Sequence, residues 1–129
     1  MRSYQFSHSL LSSDGLPIYV GKDGAANHKL TFRFARGNDM WFHCRDAAGS
    51  HVLIRGERNK SIPLDSLIDA GLLAVHFSKR RGAREAEVMY TQKKHVRPLK
   101  GAGPGKVIVD RHKTLNIRSD PDRLKEILM

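Results

Sequence analysis

The chain has 129 residues, with 23 Lys and Arg against 13 Asp and Glu, which gives a formal net charge of +10 and a pI near 10.2. This length fits a single domain over residues 1–129. An apolar content of 40% supports a folded core and excludes a purely disordered basic tail.

The sequence also predicts neither membrane insertion nor secretion, and it excludes an intrachain disulfide. The apolar runs fall far short of the roughly 18 residues of a membrane helix, and no signal-type segment follows Met1. Cys44 is the only cysteine, so neither an intrachain disulfide nor a multi-cysteine zinc site can form. We therefore expect a cytoplasmic protein that uses no cofactor.

The first part of the chain predicts a β-hairpin followed by a short helix. Short β-prone runs at residues 4–6 and 18–21 flank an Asp-Gly pair, which is typical of hairpin turns. From Ala25 the apolar residues follow a helical spacing, and Gly37 ends the helix.

The next segment predicts two strands joined by a loop of small residues. Residues 40–44 and 51–55 have the composition of strands, and residues 45–50 connect them. In strand alternation, Trp41 and His43 share one face of the sheet. The small side chains of the loop would let its backbone approach another surface closely.

The clearest helix prediction covers residues 63–81. Pro63 suits the first turn, and Gly82 is placed to end the helix. The three consecutive cations before Gly82 would then lie near the negative end of the helix dipole. The apolar residues recur at helical spacing and form one face. They are Leu64, Leu67, Ile68, Gly71, Leu72 and Val75.

Short strand-like runs follow this helix, and a closing helix ends the chain. The runs cover residues 88–91, 96–99, 106–109 and 113–117. Asp120 and Pro121 have the character of an N-cap and first turn for a helix through Leu128. The whole pattern predicts one compact α+β domain with an antiparallel or mixed sheet, a central amphipathic helix and short flanking helices.

The positive charge is concentrated in one part of the chain. Residues 76–118 hold 12 Lys and Arg against three acids, so +9 of the net charge arises there. This asymmetry predicts a polyanionic partner, although such residues also solubilise protein surfaces. Residues 90–97 combine dense charge with an aromatic ring, which favours contacts with the backbone of structured RNA. The alternative for this stretch is a solvated, charged strand edge.

Seven histidines raise the question of a metal or acid–base site. Their spacing contains neither His-x-x-x-His nor Glu-x-x-His, so we predict no metal site. Asp39, His43 and His51 would support general-base catalysis on RNA if they converged at one end of the strand pair. The alternative is that Trp41 and His43 form a half-buried pair that only stabilises the sheet.

Two glycine-containing loops, at residues 49–51 and 101–106, are candidates for phosphate contacts. Neither matches a Walker loop, because Lys106 is followed by Val107, so nucleotide hydrolysis is not indicated. Their backbone N–H groups could still point at a phosphate, and Lys100 and Lys106 bracket the second loop. A plain connection between strands is the alternative.

The strand at residues 39–43 and the loop that follows it predict a binding surface. Asp39 could hold one nitrogen of a nearby imidazole, and Trp41 would offer a stacking plane for an unpaired base. The small residues Gly49 and Ser50, next to His51, would let a phosphate come close. We therefore expect this face to form a site rather than core.

An ordered series of short motifs along nearly the whole chain resembles the NFACT-R domain family. The first half contributes Ser13-Asp14-Gly15, Ile18-Tyr19-Val20-Gly21, Asn27, Asn38-Asp39-Met40-Trp41-Phe42-His43 and Gly49-Ser50-His51-Val52. The second half contributes Phe77-Ser78-Lys79, Val88-Met89-Tyr90-Thr91, Lys94-His95-Val96-Arg97 and Gly101-Ala102-Gly103-Pro104-Gly105-Lys106-Val107. The family's hallmark strand and turn correspond here to Asp39, Trp41, Phe42, His43, Gly49, Ser50, His51 and Val52.

The resemblance implies an RNA-binding domain like that of the fibronectin-binding-protein-like and NEMF-type factors, which act on stalled large ribosomal subunits and peptidyl-tRNA. It extends only to their RNA-binding module. We therefore expect a stand-alone NFACT-R protein, without the N-terminal NFACT domain, the helix-hairpin-helix module or the coiled coil. Selection of a charged tRNA and template-free tail addition are accordingly not expected of it.

Together these observations predict a non-catalytic module that binds structured RNA, either tRNA or rRNA, with the large ribosomal subunit as a candidate partner. One alternative is a small RNA-processing enzyme that uses Asp39, His43 and His51. The other is an adaptor that docks on a ribosomal protein through the Trp41 strand. The sequence leaves the oligomeric state open. The residues predicted to bind RNA are Asp39, Trp41, His43, Gly49, Ser50, His51, Lys79, Arg80, Arg81, Lys93, Lys94, Arg97, Lys100 and Lys106.

Overall fold

The computed structural model describes residues 8–57 and 59–129, and within them an antiparallel sheet forms the centre of the domain. The strands of this sheet are β1 (His8–Leu11), β2 (Pro17–Val20), β3 (Met40–Cys44), β4 (Val52–Ile54), β5 (Glu85–Gln92) and β8 (Lys113–Arg118). Their spatial order is β1-β2-β4-β3-β5-β8. A separate hairpin pairs β6 (Val96–Pro98) with β7 (Val107–Val109). The α+β prediction is therefore confirmed, and all the pairings are antiparallel.

Three α-helices, one π-helical turn and one 3₁₀ turn (Lys93–His95) complete the described part of the chain. The helices are α1 (Gly24–Lys29), α2 (Leu64–His76) and α3 (Pro121–Leu128), and the π-helical turn (Leu30–Phe34) continues directly from α1. The helix predicted from Ala25 to Gly37 is thus present, but its second half adopts the wider π form. None of the described helices is long and apolar enough to cross a membrane.

The predicted hairpin is formed by β1 and β2. Its turn contains Gly15 with a φ of +79°, a left-handed conformation that glycine adopts without strain. The first strand begins at His8, whereas the predicted run at residues 4–6 lies outside the described residues. Hydrogen bonds join this turn to α2, because Ser13 donates from both N and Oγ to Asp69 at 2.6 Å.

The larger core lies between the sheet and α2. Phe42 and Cys44 of β3 belong to this core, together with Leu73 and Ala74 of α2, and all four are fully buried. Gly71 of α2 gives β8 room, because a Cβ there would lie 2.5 Å from Cδ1 of Ile117. The side chains of β3 therefore alternate between the two faces as the sequence predicts.

The face of α2 that is buried differs in part from the predicted one. Leu64 was expected on the buried face but is 62% exposed, so that prediction is wrong. The polar residues Ser66 and Asp69 are buried instead, because the β1–β2 turn and α3 pack against the side of the helix that carries them. Arg123 of α3 donates from Nε to Oδ1 of Asp69 at 2.7 Å. The buried stripe is thus set by tertiary partners as well as by the helical period.

The end of α2 also differs from the prediction. The helix stops at His76 rather than at Arg81, and Gly82 does not end it. The chain beyond it pairs with the β3–β4 loop, where Ser50 N donates to Phe77 O at 2.9 Å and Lys79 N donates to Ala48 O at 2.8 Å. These backbone bonds to a distant segment of the chain replace the helical ones, so the three consecutive cations lie in a turn.

The second face of the sheet carries a smaller core. Trp41 and Leu53 are fully buried there beneath Leu30 of the π-helical turn and Val96 of the β6–β7 hairpin. The short helical segment and the hairpin thus act as the cover of this face. Where their coverage ends, the sheet borders an open cleft.

Candidate nucleic-acid interface

A cleft of about 980 Å³ opens between three segments that are distant in sequence. One wall is the β3–β4 loop at residues 47–50, the second is the turn after α2 at residues 77–81, and the third joins residues 22–27 to the glycine-rich turn at residues 104–106. We call this feature the basic cleft. It is lined by Lys22, Asp23, Gly24, Asn27, Trp41, His43, Ala47, Ala48, Gly49, Ser50, His51, His76, Phe77, Ser78, Lys79, Arg81, Met89, Pro104, Gly105, Lys106, Val107, Val109 and His112.

The charge of the basic cleft is strongly positive. Lys22, Lys79, Arg81 and Lys106 line it, and Asp23 is the only carboxylate among its lining residues in the described chain. The carboxylate of Asp23 accepts a hydrogen bond from Ala26 N at 2.8 Å and so caps α1. The cleft therefore favours an anionic ligand.

The turn after α2 positions two of these cations. A Cβ on Gly49 would lie 2.6 Å from Cβ of Ser78, so only glycine permits the two segments to approach this closely. The Ser78 hydroxyl donates to Val75 O at 2.8 Å and accepts from Arg80 N at 3.0 Å. These bonds fix the backbone that carries Lys79 and Arg81.

The glycine-rich turn positions Lys106. Its three glycines, Gly101, Gly103 and Gly105, have φ values of +81°, +98° and +83°. Gly105 also packs against α1, because a Cβ there would lie 3.0 Å from Gly24 O. The turn is thus more than a strand connection, since its contact with α1 closes one wall of the cleft.

His51 holds these walls together from beneath. Its ring lies 2.7 Å from Thr31 Oγ1 through Nδ1 and 3.0 Å from Gly105 O through Nε2, while its backbone N–H donates to Asn27 Oδ1 at 3.0 Å. A carbonyl oxygen only accepts, so Nε2 carries the proton and Nδ1 accepts from the Thr31 hydroxyl. Burial and the neighbouring His43 lower the pKa of His51 to about 3, which keeps this ring neutral.

His43 forms part of the cleft floor beside His51. Its ring stacks on Trp41 with centroids 5.8 Å apart and meets the His51 ring edge-on at 5.7 Å. Burial lowers the pKa of His43, although its hydrogen bonds to the backbone of Gly49 and Cys44 oppose this effect. The floor therefore presents a neutral imidazole between the charged walls.

Two residues of the predicted surface are not available to RNA. Trp41 is fully buried, so the prediction that it stacks on an unpaired base is wrong for this structure. Asp39 is 1% exposed and holds no imidazole, because its oxygens accept from Arg36 N at 2.8 Å and Gly56 N at 2.9 Å and pair with Arg55. Both are buried because the π-helical turn and the segments that flank β3 cover this part of the sheet.

The geometry also contradicts the two alternative predictions, a catalytic group for RNA processing and an adaptor that docks through the Trp41 strand. Asp39 precedes the first residue of β3 and His43 lies near the end of that strand, so Asp39, His43 and His51 do not form one catalytic group. His51 is 2% exposed, and both its ring nitrogens have partners. Docking through the Trp41 strand is contradicted too, because β3 is paired on both edges and Trp41 is covered.

The predicted RNA-binding residues divide into two groups. The structure brings together Trp41, His43, Gly49, Ser50, His51, Lys79, Arg81 and Lys106 around the basic cleft. It leaves Asp39, Arg80, Lys93, Lys94, Arg97 and Lys100 outside the cleft lining. Arg97 is held in a two-pronged pair with Asp110, at 2.9 and 2.8 Å, which raises the pKa of Arg97 and lowers that of Asp110.

Among the basic side chains that line the cleft, sequence reasoning missed Lys22, His76 and His112. Lys22 stands in a Gly-Lys-Asp-Gly turn, and a lysine between glycines was the signal that could have identified it. Burial, Arg81 and His8 lower the pKa of His76. Nothing in the local pattern marks His112, because it joins the cleft only through the position of the β7–β8 connection.

Comparison with known proteins places this geometry in a family. The sequence model of the family described as the NFACT protein RNA binding domain matches residues 3–110. The chain is 37% identical to the Rqc2 homolog RqcH of Bacillus subtilis over 111 residues, which cover 86% of this chain and 19% of that protein. It is 28% identical to the ribosome quality control complex subunit NEMF homolog of Drosophila melanogaster over 68 residues, covering 53% of this chain and 7% of that protein.

A solved structure shows the same fold. It is the C-terminal part of the fibronectin/fibrinogen-binding protein from Streptococcus suis, with a TM-score of 0.87 and 33% sequence identity. The match covers 98% of this chain and 51% of that one. The chain spans about a fifth of the length of the bacterial relatives that it matches. From the matched model and the shared fold, the chain belongs to the family of NFACT protein RNA-binding domains.

Proposed function

We propose that this protein binds structured RNA, tRNA or rRNA, by receiving phosphates of the RNA backbone in the basic cleft. The observation that carries the proposal is the convergence of Lys22, Lys79, Arg81 and Lys106 on one cleft. These cations come from three separate segments of the chain, and the fold holds each segment in place with backbone hydrogen bonds or close glycine contacts. Lysines and arginines that only kept the protein soluble would not need to converge on one cleft.

The cleft favours recognition of shape and charge. Its lysines and arginine suit phosphate oxygens, and the exposed parts of its loops supply backbone groups that can fix the position of a strand. Trp41, the one tryptophan of the chain, lies beneath the cleft. A change in its fluorescence on addition of RNA would therefore indicate an effect at the floor of the cleft.

The relatives support a ribosomal setting for this activity. One relative is named an Rqc2 homolog, and another is named a homolog of the ribosome quality control complex subunit NEMF. Because this chain spans only a small part of each, we propose association with the large ribosomal subunit as the context in which it meets tRNA or rRNA. Co-sedimentation of the protein with purified large subunits, with and without bound tRNA, tests this part separately.

Salt titration tests the role of the cleft. Affinity for a folded tRNA should fall linearly on a log–log salt plot, with a slope of roughly −0.7 to −0.9 for each phosphate contact. Lys22→Gln, Lys79→Gln and Lys106→Gln should each make the slope shallower by about one contact. Lys125→Gln on α3 is the matched control, because Lys125 is exposed and outside the cleft. Equal slopes for the cleft variants and the control would show that the cleft is not the binding site.

A further inference from the structure

A group of basic residues outside the cleft includes an aromatic side chain. Phe32 is half-buried on the π-helical turn, and Nζ of Lys93 lies 5.7 Å from its ring centroid. Arg33 and Arg36 are exposed on the same stretch of chain. Lys94 N donates to Gly37 O at 3.2 Å, which brings the turn after β5 against this segment. We call Phe32, Arg33, Arg36, Lys93 and Lys94 the outer patch.

The carboxylate of Asp39, which is bonded to the backbone of this patch, does not neutralise it. Asp39 accepts from Arg36 N and Gly56 N and pairs with Arg55 at 3.2 Å, so its charge is already compensated inside the fold. The side chains of Arg33, Arg36 and Lys94 are directed to solvent. An anion that approaches the patch therefore meets an excess of positive charge.

The π-helical turn is the second unusual feature of this region. Such turns are rare and occur often at functional sites. Here the turn buries Leu30 and Thr31 and leaves Phe32 and Arg33 on its outer side. At 5.7 Å, the ammonium of Lys93 is near the outer limit of a cation–π contact, so a base can take its place over the ring while the lysine turns to a phosphate.

We infer that the outer patch binds an unpaired segment of RNA, with one base stacked on Phe32 and the neighbouring phosphates held by Arg33, Arg36, Lys93 and Lys94. This inference rests on the proposed function, because the same RNA occupies the basic cleft. Stacking on an aromatic ring beside cations is the usual mode of binding single strands. Phe32 thus provides the stacking plane for an unpaired base that the sequence analysis predicted for Trp41.

The spacing of the two sites fits one continuous strand. Eight residues separate Gly24, at the cleft, from Phe32, which corresponds to about 12 Å along the helical segment. Stacked nucleotides advance by about 3.4 Å each, so three or four of them bridge this distance. An RNA with a folded part at the cleft and a short unpaired extension would therefore contact both sites.

Two RNAs and one substitution test the inference. A hairpin RNA with a single-stranded overhang is compared with the same hairpin ending bluntly. Phe32→Leu keeps an apolar side chain against the core but removes the aromatic plane, so it should weaken binding of the overhang RNA about five- to 150-fold. Binding of the blunt hairpin should change less than about twofold, and Phe32→Trp should restore affinity for the overhang.

Tyr90→Leu is the matched control, because Tyr90 is a half-buried aromatic residue on the opposite face of the sheet, stacked with Phe42. It should leave both affinities unchanged. A fluorescent adenine analogue at successive overhang positions gives a readout on the unaltered protein, since stacking on Phe32 should quench one position most strongly.

Each result separates the two proposals. If Lys106→Gln weakens both RNAs while Phe32→Leu affects neither, or affects both equally, the outer patch does not stack bases and the cleft proposal stands. Absence of position-dependent quenching would likewise overturn the stacking. If the unaltered protein binds neither RNA, the proposed function fails and the inference fails with it.

Discussion

The two faces of the central sheet are built on different physical principles. On the α2 face, a continuous apolar core is closed by a buried polar group, in which Asp69 binds Ser13 and Arg123. On the opposite face, a smaller core around Trp41 and Leu30 is edged by the basic cleft and the outer patch. The first face holds most of the buried apolar area, and the second presents charge that its own neighbours do not neutralise. We therefore expect stability and RNA binding to depend on opposite sides of one sheet.

The largest change in stability should come from a substitution in the core of the α2 face. Leu73 is fully buried in α2, so Leu73→Ala should lower the free energy of unfolding by about 2–5 kcal/mol through lost burial and a residual cavity. Denaturant unfolding measures this change. RNA affinity, measured under conditions where the variant is folded, should stay within about twofold of the unaltered protein. A large loss of affinity in the folded variant would show that the two faces are coupled.

The stability of the folded protein should depend on pH through a histidine on the cleft face. Burial lowers the pKa of His51 to about 3, so the folded protein leaves this ring neutral where the unfolded chain protonates it, below about pH 6.5. The unfolded state then binds more protons, and stability falls as the pH falls through this range. The expected cost from His51 approaches about 1.4 kcal/mol per pH unit only well below pH 6.5, and it amounts to about 1–2 kcal/mol between pH 6.5 and pH 5.

Unfolding at a series of pH values measures this slope. His51→Gln keeps a side-chain N–H for Gly105 O but does not titrate, so its slope should be shallower than that of the unaltered protein. The lowered pKa values of His43 and His76 should leave a remaining slope of the same sign. An unchanged slope in the variant would mean that His51 is not the titrating group.

Gly105→Ala should have a smaller effect on stability and a clear effect on binding. The φ of +83° disfavours alanine by roughly 1–2 kcal/mol, and its Cβ would lie 3.0 Å from Gly24 O. The glycine-rich turn should therefore shift away from α1 and carry Lys106 with it. Gly82→Ala is the control, because it has a similar φ of +87° with no atom near its Cβ. If both variants bind RNA equally well, the contact between the turn and α1 does not shape the cleft.

The smallest change in stability should come from the cations of the cleft. Lys22→Gln should alter the free energy of unfolding by no more than about 0.5 kcal/mol, as is usual for an exposed side chain. Its effect on RNA affinity should exceed its effect on folding. A loss of stability comparable to that of Leu73→Ala would contradict the division of roles between the two faces.

Most elements of the fold were predictable because their signals are local. The alternation in β3, the Asp-Gly turn between β1 and β2, and the N-cap at Asp120 depend on neighbours within a few residues, and each is present. The end of α2 was not predictable in this way. The prediction carried the helix on to the glycine at position 82, but pairing of the residues after His76 with the β3–β4 loop outweighs helix propensity.

The location of the proposed binding surfaces was even less predictable from local sequence signals. Charge counting located the basic part of the chain, and motif order indicated the family, yet neither could tell that Trp41 would be covered by the π-helical turn. The sequence of a polar, aromatic strand face has the same alternation whether that face is exposed or covered by a helix. The alternation alone therefore does not predict which elements pack against the strand.

The sequence by itself therefore determined the α+β class, the net charge and the family, and it predicted a polyanionic partner. The tertiary structure alone decided which cations share a site, because Lys22, Lys79 and Lys106 come together only through contacts between residues far apart in the chain. Electrostatic attraction for a phosphate depends on the distances between charges in space, and those distances are set by packing rather than by sequence spacing.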